Sequence, residues 1–258
     1  MKLKFTVIFL IISFFQFNTA SEAGSLQGIQ IVEKAWHNFR VIPHEIEKTT
    51  ILQFDNGTEK KKKILRWSKY DENGEDKITI KFTDPSRDKG LSLLTHRHPD
   101  KADDQWLRMP SWKKVRRVSI SNESKYFAGT DLTYEDVRQL SSERISDFRY
   151  EILEEVMDCW VIKAMPKPNV RSGYTYRVFQ INKKFVLIKI EYYGFQDNLI
   201  KTQQNKEIQY YKNGAWRANI IEIDNVLLNR KTIIHVVERN ITQENDKSIF
   251  SKMFLLRD

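Results

Sequence analysis

The sequence contains a single cysteine, Cys159, so an internal disulfide is excluded. The folded state must therefore be stabilised by burial of apolar side chains. The chain has 258 residues, of which 40% are hydrophobic and 12% aromatic, and a β-rich chain of this length can form one domain around its own core. No internal repeat or low-complexity linker indicates a second domain.

The sequence also lacks the short motifs that identify common enzyme classes. It has no Gly-x-Ser-x-Gly elbow, phosphate-binding loop, dinucleotide fingerprint or zinc-protease motif. Cys159 lies in an apolar segment, where an inert buried thiol is expected. The carboxylates of Glu154, Glu155 and Asp158 lie at a predicted hairpin turn, where acidic residues are common. These absences favour a binding protein over an enzyme, and we predict no catalytic residues.

The histidines give little support to metal binding. His96 and His98 are two residues apart on a predicted strand, and this spacing places both rings on one face, as in metal-binding strand pairs. The surrounding sequence offers no third ligand, while Arg97 and Pro99 indicate the end of an exposed strand. We therefore predict a solvent-exposed pair of histidines, with no metal and no other cofactor.

Long apolar runs are absent beyond residue 17, and none approaches the roughly 20 residues that a helix needs to cross a bilayer. At the N-terminus, Lys2 and Lys4 precede a short apolar run over residues 5–17, and small residues follow as far as Ala23. This pattern is typical of a secretory signal peptide. The sequence predicts a signal peptide at residues 1–23, cleaved after Ala20 or Ala23, and one exported domain at residues 24–258.

The formal charge of +9 indicates that the protein meets anionic partners. Because the basic residues are spread along predicted strands and form no compact basic and aromatic motif, nucleic acid is not an expected partner. For an exported protein, peripheral contact with an anionic membrane is the better prediction. The lysines at residues 60–63 have two interpretations: a solvated strand edge that resists aggregation, or a membrane-docking surface.

The hydrophobic pattern changes from a helical to a strand period near Pro43. Before it, apolar residues recur every three or four positions from Leu26 to Phe39, which predicts an amphipathic helix. After it, period-two alternation and turn signals such as Asn56-Gly57 predict roughly ten or eleven antiparallel strands. A last short helix is predicted at residues 247–256, with Asp246 as its cap.

So many strands with so few helices predict one large sheet. Because twist accumulates from strand to strand, the sheet must curl, and the scarcity of helices excludes a doubly wound fold. We predict a mainly β (α+β) fold: a single, strongly curved, half-open antiparallel β-sheet, or incomplete barrel, with a few helices covering its concave face. A curved sheet that side chains do not fill encloses an apolar cavity for a ligand.

One segment, residues 84–140, departs from this regular pattern by interspersing aromatic residues with charges. In order along the chain it contains KG at 89–90, DQWL at 104–107, MP at 109–110, VRRV at 115–118 and FAGTDLTYED at 127–136. In order and spacing these motifs resemble the signature of the outer-membrane lipoprotein-sorting protein family, which includes LolA- and LolB-like periplasmic lipoprotein carriers. The last motif is the most specific of them.

The resemblance implies a periplasmic carrier or chaperone that binds lipid or lipoprotein acyl chains in a hydrophobic cavity and transfers them between envelope membranes. The residues expected to contact acyl chains from the cavity or its lid are Leu91, Leu93, Trp106, Met109, Trp112, Phe127, Leu132 and Tyr134. Arg116 and Arg117 are expected to make polar contacts at the mouth.

A short lid helix is expected to begin near Leu132. Its hinge and cap are predicted to consist of Gly129, Thr130, Asp131 and Asp136, since glycine tolerates backbone conformations that other residues do not and short polar side chains cap helices. The expected role of Asp131, Glu135 and Asp136 is capping, or pairing with Arg116 and Arg117, in preference to headgroup recognition.

Two other functions stay open. Many members of this branch of the family accompany RND-type exporters, so the main alternative is a non-enzymatic adaptor subunit with a filled interior. A lipid hydrolase that uses His96 and His98 is less favoured. The partners expected of a carrier are an inner-membrane RND-type or ABC-type exporter and an outer-membrane acceptor, and the protein is expected to be a monomer.

Overall fold

The computed structural model describes residues 20–112, 114–140 and 143–257. Residues 1–19, which form most of the predicted signal peptide, and Lys113 lie outside this part of the chain, so cleavage of the peptide stays a prediction. None of the helices in the described residues is both long and apolar enough to cross a membrane.

Within the described residues, a single antiparallel sheet of 13 strands is the main element of the fold. In the first strand every second side chain is buried over most of its length, because a strand in such a sheet presents alternate residues to the core. The strands are β1 (His44–Asp55), β2 (Thr58–Lys69), β3 (Lys77–Asp84), β4 (Ser92–His96), β5 (Asp104–Arg108), β6 (Arg116–Arg117), β7 (Phe148–Val156), β8 (Cys159–Pro166), β9 (Tyr176–Asn182), β10 (Leu187–Tyr193), β11 (Leu199–Tyr210), β12 (Trp216–Asn225) and β13 (Arg230–Asn240).

The sheet has its first and last strands side by side near its middle. Its order is β6-β5-β4-β3-β2-β1-β13-β12-β11-β10-β9-β8-β7, with β1 antiparallel to β13. The two edges are β6 and β7, so the sheet is not closed. The predicted fold class, one half-open antiparallel sheet with few helices, is confirmed, and the strand count exceeds the expected ten or eleven.

The connection between the two edge strands crosses the concave face of the sheet. This connection, described at residues 118–140 and 143–147, is called the lid segment below, and its side chains or main chain contact residues of β2, β9, β11 and β13. It contains α2 (Tyr134–Gln139) and the 3-10 helices Ile120–Asn122 and Ile145–Asp147. The motif that resembled the lipoprotein-sorting family therefore lies across the centre of the sheet.

Helix α1 (Ala20–Arg40) covers another part of the same face. Val32, Trp36 and Phe39 are buried and pack in one apolar cluster with side chains of β7 to β10 and β12. The ring of Phe39 stands edge-on to that of Trp216 at 5.2 Å between centroids. Val32, Trp36 and Phe39 of the amphipathic stripe that predicted this helix therefore lie on its buried face.

The lid segment covers a second apolar cluster on β1 to β5 and the ends of β12 and β13. Phe127, Leu132 and Val137 of the lid segment pack there against residues such as Ile64 and Phe82. The rings of Phe82 and Phe127 meet edge to face at 5.8 Å. Two clusters under two covers therefore fill most of the concave face.

The C-terminal helices pack on the opposite, convex face. Leu93 belongs to the cluster under the lid, whereas its neighbour Leu94 packs with Phe250 and Leu255, and successive side chains of a strand point to opposite faces. The predicted helix at 247–256 is two helices, the 3-10 helix Lys247–Phe250 and α3 (Lys252–Leu255), because Ser251 starts a new cap. Asp246 caps the first of them, as predicted. Two further 3-10 helices, Phe195–Asp197 and Lys212–Gly214, lie in hairpin turns.

Candidate functional site

A cavity lies between the lid segment, α1 and the concave face of the sheet. It comprises about 1050 Å³ of atom-free space, part of it open to solvent, of which about 90 Å³ admits the centres of water-sized molecules. The part that admits water-sized molecules is smaller than the roughly 300–1,000 Å³ of pockets that commonly hold small molecules. It therefore suits a slender chain better than a bulky ring system.

One end of the cavity is apolar. Its wall there consists of Ile51, Ile64, Ile80 and Ile234 from the sheet and of Phe127, Leu132, Val137 and Leu140 from the lid segment. Such side chains offer no hydrogen bond, so any ligand held against them is held by exclusion of its apolar surface from water.

The other end of the cavity is charged. Glu47 accepts hydrogen bonds from Arg66 Nη1 at 2.6 Å and from Arg239 Nε at 2.8 Å. Glu45 accepts bonds from Arg217 Nε at 3.0 Å to each carboxylate oxygen and also pairs with Arg239 at 2.9 Å. These five side chains are called the charged cluster. Ile51, which is apolar, follows Glu47 four positions later along β1, a span of about 13 Å along an extended strand.

Burial and ion pairing act in opposite directions on the two carboxyl groups of the charged cluster. Burial raises the pKa of Glu45, although the guanidinium group of Arg217 opposes this. Burial would raise the pKa of Glu47 too, but attraction by Arg66 and Arg239, with their hydrogen bonds, holds that pKa at about 2. Glu47 is thus the more acidic of the two carboxyl groups, and Glu45 is the one that gains a proton more easily.

Three buried carboxylates fix the lid segment to the sheet, and Asp131 is the first. Its Oδ1 atom accepts hydrogen bonds from Arg230 Nη2 at 2.8 Å and Asn225 Nδ2 at 2.9 Å, and its Oδ2 atom accepts one from Thr232 Oγ1 at 2.8 Å. All three donors lie at the turn between β12 and β13 or beside it. Asp131 therefore anchors the lid segment to the centre of the sheet.

Asp136 is the second anchor and pairs with Lys201 of β11. Both side chains are only 1% exposed, and Asp136 also accepts a hydrogen bond from the hydroxyl of Tyr174 at 2.9 Å. Lys201 donates a further bond to the main-chain oxygen of Asp131 at 2.9 Å. One buried ammonium group thus binds two points of the lid segment.

Glu143 is the third anchor. It accepts hydrogen bonds from Arg177 Nη2 and from the Tyr150 hydroxyl, each at 3.0 Å, and burial raises its pKa against the opposing attraction of Arg177. The guanidinium group of Arg177 also lies 4.5 Å above the ring of Phe148. Asp131, Asp136 and Glu143 therefore bind successive parts of the lid segment to β13, β11 and β9.

The cap of the lid helix differs from the prediction. Thr133 is the N-cap: its hydroxyl accepts from Asp136 N at 3.1 Å, while Asp136 Oδ2 accepts from Thr133 N at 2.6 Å. Asp136 is thus part of the cap, as expected, but Thr130 and Asp131 are not. The helix begins two residues later than expected because the sequence TYED provides a reciprocal capping box.

The backbone before this helix forms a turn with left-handed residues, as predicted from Gly129. Gly129 has φ = +73° and Ala128 has φ = +51°, and a left-handed conformation is unfavourable for residues with a Cβ atom. Lys62 Nζ holds this turn through a hydrogen bond of 2.8 Å to the oxygen of Ala128. Lys60, Lys61 and Lys63 are exposed, but Lys62 is buried because the strand alternation directs it to the lid.

The predicted acyl-contact residues divide into three groups. Phe127 and Leu132 line the cavity, together with Thr130 and Asp136. Five others pack in the apolar cluster behind that wall: Leu91, Leu93, Met109, Trp112 and Tyr134. Trp106 lies on the convex face, where its ring meets His96 at 5.0 Å and Lys252 at 4.6 Å, so its placement in the cavity is corrected.

The expected roles of two arginines are corrected as well. Arg116 and Arg117 form the exposed edge strand β6, where Arg116 lies 4.5 Å above the ring of Trp112 and Arg117 pairs with Asp104. Neither pairs with the three anchors Asp131, Asp136 and Glu143, whose cations come from β13, β11 and β9. Glu135 instead accepts bonds from Ser172 Oγ and Gly173 N, each at 2.7 Å.

The two histidines are half-buried and have separate partners. His96 Nε2 lies 2.9 Å from the oxygen of Phe250, and burial lowers its pKa. His98 Nε2 lies 3.1 Å from Asp104 Oδ2. Within the part of the chain that the structure describes, no three His, Cys, Asp or Glu side chains are grouped to hold a metal ion.

Comparisons with known proteins agree with this architecture. A family model described as uncharacterized-protein-like matches residues 74–257, more than half of the chain. No curated protein sequence matches significantly. An outer membrane lipoprotein-sorting protein domain from Vibrio parahaemolyticus is similar to this chain with a TM-score of 0.83 and 26% identity, over 90% of this chain and 100% of that one.

Two further crystal structures share the fold. A DUF1329 family protein from Desulfovibrio piger has a TM-score of 0.82 at 20% identity, over 90% of this chain and 99% of its own. A LolA superfamily protein from Nitrosomonas europaea has a TM-score of 0.67 at 19% identity, over 88% and 98%. At these identities the likeness concerns the fold alone.

Proposed function

We propose that this chain, which is similar over 90% of its length to an outer membrane lipoprotein-sorting protein domain, is a periplasmic carrier of lipid or lipoprotein acyl chains. In this proposal the exported protein holds the chains in its cavity while they pass between the two envelope membranes, and it catalyses no reaction. It acts as a monomer that meets an inner-membrane exporter and an outer-membrane acceptor in turn.

The proposal rests on the narrow cavity that lies under the anchored lid segment. Its apolar end has the chemistry of an acyl-chain site, and the lid segment that closes it is held by a few discrete ion pairs. Each buried methylene contributes about 0.8 kcal/mol, so a chain of ten carbons gains roughly 8 kcal/mol before the entropy of binding is subtracted. Apolar burial alone is thus sufficient for useful affinity.

The alternatives have less support. An exporter adaptor does not require internal space, whereas this protein retains a cavity between lid and sheet. A lipid hydrolase would need reactive groups against the ligand. His96 and His98 do not belong to the cavity lining, and His96 packs against the convex-face residue Trp106.

Delivery to a membrane needs a surface that meets the bilayer, and the turn between β12 and β13 fits this need. Val226, Leu227 and Leu228 are 57%, 68% and 42% exposed there, and Arg230 and Lys231 follow directly. Apolar side chains next to basic ones bind anionic bilayers by insertion and charge attraction. Because Arg230 also holds Asp131 of the lid segment, contact at this turn is coupled to the lid.

Replacing Leu227 by aspartate is expected to weaken binding to phosphatidylglycerol-containing vesicles at least tenfold, since burial of one leucine is worth about 1.5–3 kcal/mol. Vesicle flotation measures the bound fraction. Met253→Asp is the matched control, because Met253 is also 68% exposed but lies on the convex-face helix α3. Equal binding by Leu227→Asp and the native protein would exclude this turn as the docking surface.

The carrier function itself is tested by calorimetric titration of delipidated protein with decanol. Saturable binding with a negative heat-capacity change is expected, because apolar surface leaves water. Absence of saturable binding, with the protein still folded by circular dichroism, would exclude the proposed function.

A further inference from the structure

The charged end of the cavity contains a buried donor without a hydrogen-bond partner. Arg217 lines the cavity and is 1% exposed. Its Nε binds Glu45, and its Nη1 donates to the main-chain oxygens of Phe39 at 2.5 Å and Trp216 at 2.8 Å. Its Nη2 has no partner among the described residues. Buried charged donors are nearly always satisfied in native proteins, so this atom requires an explanation.

In the neighbouring Arg239, each guanidinium nitrogen donates a hydrogen bond within the protein. Its Nε donates to Glu47, its Nη1 to Asn219 and its Nη2 to the main-chain oxygen of Ala218. Each guanidinium nitrogen of Arg239 therefore has at least one partner within the protein. Arg217 Nη2, in contrast, has no hydrogen-bond partner among the described residues.

The charge of the cluster also favours an anion. Three guanidinium groups, those of Arg66, Arg217 and Arg239, face only two carboxyl groups, those of Glu45 and Glu47. The carboxylates and the oxygen of Phe39 oppose an incoming anion, but they are already bound to the arginines. The net charge left for a ligand is therefore positive.

We propose that the charged cluster binds the anionic head of an amphiphile, a carboxylate or a phosphate, through Arg217 Nη2. The alkyl chain then extends along β1 from the charged cluster to the apolar wall under the lid, a distance of about 13 Å. A planar guanidinium group suits both oxyanions. This inference rests on the proposed carrier function and specifies the class of its cargo: anionic amphiphiles in preference to neutral ones.

The test compares three ligands with the same chain: decanoate, decyl phosphate and decanol, titrated calorimetrically into the full, delipidated protein at pH 8. At least one anion is expected to bind about ten- to a hundredfold more tightly than decanol, the usual range for a charge-assisted hydrogen bond. Which anion binds more tightly distinguishes a fatty-acid carboxylate from a phosphate headgroup.

Three variants connect this preference to Arg217. Arg217→Lys keeps the charge beside Glu45 but removes Nη2, so the preference for the anion falls to about threefold or less while decanol affinity is unchanged. Arg116→Lys, on the exposed edge strand β6 outside the cavity, is the control and keeps the preference. Glu45→Gln removes a competing negative charge, so the preference rises severalfold, an increase that a merely structural role does not produce.

The outcomes separate this inference from the function on which it rests. If no ligand binds, the carrier function fails. If decanol and both anions bind equally to the native protein, or if Arg217→Lys keeps the full preference, the anion site is refuted while the carrier function stands. If Arg217→Lys does not fold, the Glu45→Gln variant is compared with the native protein instead. A preference for the anion over decanol that is unchanged or lower in Glu45→Gln refutes the anion site.

Discussion

Replacing Lys201 by methionine is expected to destabilise the protein by about 3–5 kcal/mol, because it leaves the carboxylate of Asp136 buried without its cation. The remaining partners of Asp136 are Thr133 and the hydroxyl of Tyr174, and neither supplies positive charge. The free energy of unfolding, obtained from urea denaturation, measures the effect. The lid segment should also become more sensitive to proteolysis, since Lys201 binds it at two points.

Two controls distinguish a buried anchor from a general loss of charge. Lys48→Met removes one partner of the ion pair with Glu238, in which both side chains are 60% exposed, and we expect an effect of at most about 1 kcal/mol. The double variant Lys201→Met/Asp136→Asn removes both charges and should recover much of the lost stability. An effect of Lys201→Met as small as that of Lys48→Met would contradict the anchor.

Replacing Thr49 by phenylalanine is expected to reduce decanol affinity about thirtyfold. Thr49 lies on β1 between the charged cluster and the apolar wall and lines the cavity, so a larger side chain there occupies space that the chain needs. Exclusion of two or three methylenes costs about 2 kcal/mol of binding free energy. The calorimetric titration proposed for the native protein measures the change.

Thr50→Phe is the matched control for this variant. Thr50 is the next residue of β1 and points to the opposite face of the sheet, so decanol affinity should be unchanged. If Thr49→Phe binds decanol as tightly as the native protein does, the ligand lies outside the cavity. Urea denaturation of both variants verifies that the larger side chain leaves the fold intact, since overpacking destabilises a protein by roughly 1–3 kcal/mol.

The local features of the fold could be predicted because each has a short-range cause. The Asn56-Gly57 hairpin is an example: both residues have positive φ, 47° and 77°, as a tight turn between antiparallel strands requires. The amphipathic stripe of α1 and the alternation of β1 have similar local origins. The pairing of β1 with β13 could not be predicted, because their partners are nearly 200 residues apart and leave no local pattern.

The misplacement of Trp106 has a different cause. Four of the five residues of β4 are buried, because the lid covers one face and the C-terminal helices cover the other. When both faces of a strand are covered, period-two alternation disappears and the sequence no longer indicates which residue faces the cavity. Leu93 and Leu94 are equally apolar, so the sequence does not show which of them faces the cavity. Trp106 pairs with Leu94 on the neighbouring strand and lies on the same convex face.

The charged cluster and the lid anchors were missed because each combines residues that are distant in sequence. Asp136 and Lys201 are 65 residues apart, and Glu45 and Arg217 are 172 apart. One signal was available: Arg217 interrupts the apolar run AWRANII at residues 215–221. An arginine within a predicted buried strand indicates a buried partner or a ligand, but it does not indicate which.

Native mass spectrometry of the protein, purified from cells without detergent, tests acyl-chain carriage most directly. We expect a population whose excess mass corresponds to one bound lipid, released by organic extraction and replaced by added decanoate. A protein that is uniformly ligand-free and that also fails to take up decyl ligands would contradict acyl-chain carriage.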